Sequence, residues 1–139
     1  MPKQPLDVLL QVRQMAVDQA KQALAECVAG ETTASMRRGE IQAAIFRETD
    51  AARSLTADDQ AVEAFANWLR ATLPAQRAAD QAVIEAEART EEARIVLAAA
   101  RAGVRVIENT LEHRATERQT LDMRAEQRTL DEAARALPR

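Results

Sequence analysis

The chain has 139 residues, and 47% of them are hydrophobic, but 31 residues are alanine and only three are phenylalanine or tryptophan. Close-packed interiors are built from branched and aromatic side chains, so this composition argues against a β-sandwich, an α/β fold or a compact globular core. The net charge of −3 and the three glycines argue against disorder, while alanine is the strongest helix former. Composition therefore predicts one thin all-α unit.

The same inventory narrows the class of function. The sequence contains no run of about 18 apolar residues, the length that a membrane span needs. Asp7 and Gln11 interrupt the apolar stretch near the start, which argues against a signal peptide, so we expect the protein to remain in the cytosol. Cys27 is the single cysteine, which excludes an internal disulfide and a cysteine-based metal cluster. Residues 57–100 carry four positive and eight negative groups, which argues against nucleic-acid binding.

The first predicted element is a helix over about 5–53. Pro5 suits the first helical position, and Asp7 lies in the first turn, near the positive end of the helix dipole. A bend or local fraying is expected between Gly30 and Gly39, with a full break as the alternative. Two seven-residue ladders form one coiled-coil stripe: Leu10, Val17, Leu24, Glu31, Arg38, Ile45, Ala52, and Leu6, Arg13, Ala20, Cys27, Ala34, Ile41, Glu48.

A loop and a short helix are predicted over about 54–74. Thr56 is a candidate N-cap with Asp59 three residues later. We expect the short helix to end or kink at Pro74, because proline disfavours helical geometry in the residue before it. The large apolar residues of this segment are Val62, Phe65, Trp68, Leu69 and Leu73.

A second long helix is predicted over about 75–137. Its two ladders are nearly unbroken for six heptads: Val83, Thr90, Leu97, Val104, Leu111, Arg118, Ala125, and Ala79, Ala86, Ala93, Ala100, Ile107, Arg114, Leu121, Arg128.

The two arms predict an all-α fold: a long antiparallel two-helix coiled-coil hairpin with a short helix near the turn, forming a single domain over 1–139. The pairing that brings most apolar residues together sets Leu24 against Val104 and Ala34 against Ala93. Because the second arm is longer, about 13 residues at the C-terminus are expected to overhang, on the order of 20 Å.

Catalytic and metal-binding chemistry is not indicated. His113 is the only histidine, and the sequence around it lacks the second histidine of a zinc-binding helix. The acidic run at Glu87, Glu91 and Glu92 is typical of the solvated face of a helix, and no glycine-rich phosphate loop is present. The sequence therefore predicts no enzyme activity, metal or cofactor.

Two segments are candidate surfaces for protein partners. The segment 65–73 could close the end of the coiled coil, dock a partner, or do both on different faces. The overhanging segment 124–135 has mixed charge, with apolar anchors at Leu130 and, just before the segment, at Leu121. Such a helix can insert into a polar bore or groove. The alternative to a binding role for this segment is a helix end that frays and binds nothing.

The chain resembles the flagellar export protein FliJ family at these residues. The tail Arg124-x-Glu126-Gln127-Arg128-x-Leu130-Asp131-Glu132 is similar to the charged C-terminal signature of that family, and Leu111-Glu112-His113-Arg114 is similar to its Leu-Glu-x-Arg run. The first arm, from Leu6 to Leu24, fits the N-terminal helix of the family. The resemblance extends over essentially the whole chain.

The resemblance implies a cytosolic, stalk-like component of the flagellar type III export apparatus, peripheral to the membrane at most. Its partners would be the hexameric export ATPase, the export-gate membrane protein FlhA and substrate chaperones. By resemblance, the gate-facing residues are Phe65, Leu69, Thr72 and Gln76. The ATPase-facing residues are Leu6, Leu10, Arg13, Arg124, Gln127, Arg128, Leu130 and Asp131.

Two alternatives share the coiled-coil architecture. A YscO-type stalk of a virulence or symbiosis injectisome differs mainly in the machine that it serves. A generic coiled-coil scaffold would form a stable homodimer and would tolerate mutation of the tail.

Overall fold

The computed structural model describes residues 4–54 and 58–138. Two α-helices, α1 at Pro5–Ala52 and α2 at Asp59–Ala136, make up nearly all of these residues, and no strand occurs among them. The all-α two-helix hairpin is thus confirmed. No helix in the described ranges has an apolar stretch long enough to cross a bilayer.

The chain divides into two compact units. The first, which we call the turn unit, is Gln19–Leu97. The second, the terminal unit, combines Met1–Asp18 with Ala98–Arg139. Both helices contribute to each unit.

Helix α1 is continuous, so the alternative of a full break between Gly30 and Gly39 is wrong. It begins at Pro5, and Asp7 lies in its first turn. Neither glycine has a positive φ. Thr32 and Thr33 lie between the two glycines, and their hydroxyls donate hydrogen bonds of 3.1 and 3.0 Å to the carbonyls four residues earlier.

The start of α2 corrects two details of the predicted connection. Asp58 caps the helix, because its Oδ1 accepts a 2.8 Å hydrogen bond from the backbone N–H of Ala61. Thr56, the predicted cap, lies outside the described residues. Residues 59–74 do not form a separate short helix, since α2 continues through Pro74. The connection is therefore much shorter than the predicted segment 54–74.

The shorter connection shifts the pairing of the arms by about one and a half heptads. In the turn unit, Ala34 lines a cavity together with Ala82 and Ala86, and Ala93 is not part of it. In the terminal unit, a Cβ built on Gly103 would lie 3.8 Å from Cδ of Arg13, whereas the predicted pairing places Arg13 near Ala115. The predicted register is wrong because the chain reverses before Asp59 instead of near residue 64.

The predicted ladders form the seam between the helices. On α2 the protected residues follow alternating steps of four and three from Phe65 to Leu111. In the turn unit the largest fully buried side chains are Val83 and Thr90. The Thr90 hydroxyl donates a 3.0 Å hydrogen bond to the carbonyl of Ala86, which satisfies this buried polar group. The buried hydrophobic residues are Ala20, Ala79, Val83, Ala86, Leu97 and Ile107.

Pro74 lies on the exposed side of α2, and its position explains why the helix tolerates it. Proline cannot donate to the carbonyl of Arg70, four residues earlier, but Arg70 is also exposed, so water can bond to this carbonyl instead. We predict that Pro74→Ala raises the free energy of unfolding by up to about 3 kcal/mol, since it restores one helical hydrogen bond. Urea unfolding followed by circular dichroism measures this, and an unchanged midpoint would contradict it.

The two glycines of α1 offer a second test of helix stability. A Cβ added at Gly30 or at Gly39 meets no atom within 4 Å. Gly30→Ala and Gly39→Ala should therefore each stabilise α1 by roughly 0.5–1 kcal/mol, because alanine loses less backbone entropy on folding. Thermal unfolding of the single and double variants should show additive increases in Tm. A decrease would mean that one glycine is required for the fold.

Candidate functional site

No described residue of the terminal unit packs against the C-terminal part of α2. Leu6 is the first half-buried residue of α1, and Leu111 is the last half-buried residue of α2. Every residue from 112 to 138, here called the tail, is exposed. The tail is about 40 Å long at 1.5 Å per residue, roughly twice the predicted overhang.

The seam stops at Leu111 because α1 begins at Pro5, about opposite this part of α2. The next two ladder positions of α2 are Arg114 and Arg118. Arg128 and Arg135 follow on the same face of α2 at heptad spacing. We call Arg114, Arg118, Arg128 and Arg135 the arginine face of the tail.

The predicted ATPase-facing residues of the tail lie on more than one face. Arg128 belongs to the arginine face, while Gln127 and Leu130 lie on the opposite side of the helix. The contacts of this group are local: Gln127 Nε2 donates to Asp131 Oδ1 at 3.1 Å, and Arg128 Nε donates to the carbonyl of Arg124 at 3.5 Å. All five predicted residues are exposed.

The predicted ATPase-facing residues of the first arm differ from one another in exposure. Leu6 and Leu10 are half-buried in the seam, and Arg13 is exposed with its aliphatic stem beside Gly103. The apolar side chains that this arm presents to solvent are different ones, which the prediction omitted: Val8, Leu9, Val12 and Met15. Their signal in the sequence was their position outside the two ladders.

The predicted gate-facing residues come together in the turn unit. Phe65, Leu69, Thr72 and Gln76 follow the steps of four, three and four that define the seam, and all four are half-buried. They therefore form one stripe, but this stripe faces α1. Thr72 donates its hydroxyl to the carbonyl of Trp68 at 2.8 Å.

An aromatic pair lies next to the turn. The rings of Phe65 and Trp68 stack with their centroids 6.3 Å apart and their planes at 27°. Both line an open cavity of about 360 Å³ opposite Ala51 and Ala52, whose small side chains leave the rings partly uncovered. Phe46 on α1, which the sequence analysis did not single out, is 74% exposed. This end of the turn unit thus presents aromatic surface to solvent.

Side chains suited to catalysis or metal binding do not converge in the described parts of the chain. No group of three or more His, Cys, Asp or Glu residues there could hold a metal ion. His113 Nε2 lies 3.1 Å from Glu117 Oε1, and both side chains are largely exposed. Cys27 is half-buried beside the cavity that contains Ala34.

These features define a two-helix coiled-coil hairpin whose candidate sites are exposed helix faces, which is the architecture of a stalk or scaffold protein. The chain belongs to the FliJ family, because the family model described as "Flagellar FliJ protein" matches residues 2–139. The protein is accordingly a component of the flagellar export apparatus, and its family is one of non-catalytic stalk or scaffold components. Neither a curated protein nor a solved structure matches the chain.

Proposed function

We propose that this protein is the cytoplasmic stalk-like component that binds the hexameric ATPase ring of the flagellar export apparatus through its terminal unit. The observation that carries the proposal is the tail, a helix of about 40 Å whose residues are all exposed. An isolated helix is only marginally stable in water, so a long helix that no described residue of the chain covers is suited to insertion into another protein.

The flagellar family match favours this role over the YscO-type and generic scaffold alternatives. The first arm supports the same role, since Val8, Val12 and Met15 are 46%, 54% and 61% exposed in the terminal unit. Apolar side chains exposed on a helix beside a free tail are typical of a surface that a partner covers. Within the proposal, Leu6, Leu10 and Arg13 position or contact the ATPase from α1. The tail contributes Arg124, Gln127, Arg128, Leu130 and Asp131.

We further propose that the turn unit contacts the export-gate protein FlhA and that substrate chaperones bind this protein. For the gate, the support is the stacked pair of Phe65 and Trp68, which the small side chains of Ala51 and Ala52 leave partly uncovered. Leu69, Thr72 and Gln76 continue the stripe of Phe65 along the seam and are the other gate-facing residues of the proposal. Aromatic side chains with one uncovered face are frequent anchors of protein interfaces.

The arginine face provides the test of ATPase binding. We expect the triple variant Arg114→Glu, Arg118→Glu, Arg128→Glu to bind the cognate ATPase about 30-fold more weakly, a loss of roughly 2 kcal/mol. The proposal takes the surface that receives the arginine face to be acidic, so each reversal would replace an attraction with a repulsion. Affinity is measured by surface plasmon resonance. The difference in affinity between the variant and the unmodified protein should shrink at about 0.5 M salt, because salt screens exposed charges.

A control with the same change in net charge uses arginines of the turn unit. Arg70→Glu, Arg77→Glu, Arg89→Glu reverses three exposed charges on the same helix. This variant should bind the ATPase like the unmodified protein. Equal losses in both variants would show that binding responds only to net charge, and no loss in either would refute a contact through the arginine face.

A further inference from the structure

The tail has a second face that differs from the arginine face in its side chains. Thr116, Thr120, Met123, Gln127, Leu130 and Ala134, here called the outer stripe, follow one another in alternating steps of four and three along α2. This heptad spacing places them on one side of the helix, opposite the arginine face. The stripe is about 27 Å long and contains no charged residue.

The outer stripe is fully accessible and partly apolar. Met123 is 62% exposed and Leu130 is 65% exposed. Three of its six residues are Thr or Gln, so it lacks the continuous apolar surface of a stable homodimer seam. A solvated helix face would normally carry charges, whereas this one excludes them at six successive positions. Such a pattern is typical of a helix that packs against a second helix.

Acidic and basic residues are distributed unevenly around the tail. The positions that border the outer stripe carry Glu112, Glu117, Glu126 and Asp131, with Arg124 as the one basic residue among them. The opposite side carries the four arginines of the arginine face together with Glu132. A helix docked on the outer stripe would therefore have its own flanking positions next to carboxylates.

We propose that the outer stripe docks an amphipathic helix of a partner protein whose apolar seam is flanked by lysine or arginine. Basic flanks would pair with the acidic border, as e and g residues do across a coiled coil. A second copy of this chain in the same position would bring acidic flank against acidic flank, which disfavours self-pairing. The inference rests on the proposed function only in taking the tail as a binding segment.

The test uses the full-length protein and three synthetic 28-residue peptides, with no ATPase present. One peptide has leucine and alanine in its heptad seam and lysine at its flanks; a second has the same seam with glutamate flanks; a third is a scrambled form of the first. Binding is measured by fluorescence anisotropy at low and at physiological ionic strength. Only the lysine-flanked, heptad-spaced peptide should bind, and more weakly at the higher ionic strength.

Variants of the protein assign the binding face. Met123→Glu with Leu130→Glu should abolish binding of the lysine-flanked peptide, because it places charges in the docked seam. Neutralising the border with Glu112→Gln, Glu117→Gln and Glu126→Gln should weaken binding about fivefold to tenfold.

Arg114→Gln with Arg118→Gln serves as the control and should not weaken binding, since these residues lie on the other side of the helix. Similar binding of the scrambled peptide, or no binding of any peptide, would overturn the proposal. Sedimentation equilibrium of the protein alone tests whether a second copy occupies the outer stripe. If the protein is a dimer, and Met123→Glu with Leu130→Glu dissociates this dimer, the proposal of a partner helix is overturned. None of these results depends on whether the ATPase binds the arginine face.

Discussion

Removal of residues 124–139 is expected to abolish binding to the cognate ATPase and stimulation of its activity, while the hairpin stays folded. The described residues in this segment are all exposed, so their loss uncovers no buried surface. The free energy of unfolding should change by less than about 0.5 kcal/mol, the usual range for changes away from packed sites. Urea unfolding measures the stability, and a coupled ATPase assay measures the stimulation.

A scrambled tail separates the effect of sequence from that of length. The control keeps the composition of residues 124–139 but destroys the spacing of Arg128 and Leu130. It should fail in the ATPase assay as the truncated protein does, because its charges and apolar anchors no longer share defined faces of α2. Stimulation by the truncated protein at the level of the full chain would remove the tail from the proposed mechanism.

The heptad pattern predicted the seam well, because burial between two long helices depends on a simple spacing. Val83, Leu97 and Ile107 occupy predicted ladder positions, and each is buried. The predicted helix boundary at Pro74 is wrong, because the continuing ladder outweighs the preference of the residue before proline for non-helical geometry. Leu69, Thr72 and Gln76 keep the seam spacing through this region. The packed positions thus outweigh the cost of one solvent-facing proline.

The candidate sites were predictable in part. The sequence itself shows the charged pattern of the tail and the basic residues Arg114 and Arg118 at its ladder positions. The true length of the tail depends on the register, however, and the register depends on where the chain turns. The exposure of Phe46 was predictable, since this residue lies outside both ladders of α1, as Val8 and Val12 do.

Leu97→Ala is expected to lower the free energy of unfolding by about 2–5 kcal/mol, the range for truncation of a buried leucine. Leu97 is 6% exposed, and half of the six buried hydrophobic residues among the described ones are alanines. Few large side chains therefore stabilise the hairpin, and the loss of one removes much of its marginal stability. We expect a decrease of helical circular dichroism at 25 °C and a much lower urea midpoint.

Ile95→Ala is the matched control on the same helix. Ile95 is 62% exposed, and the substitution removes a side chain of the same size two residues away. Its effect should be neutral or slightly stabilising, because little packed surface is lost and alanine has the higher helix propensity. Similar destabilisation by Leu97→Ala and Ile95→Ala would mean that helix propensity, and not the seam, determines stability. The difference between the two variants thus measures directly how much the contact between the arms contributes to the fold.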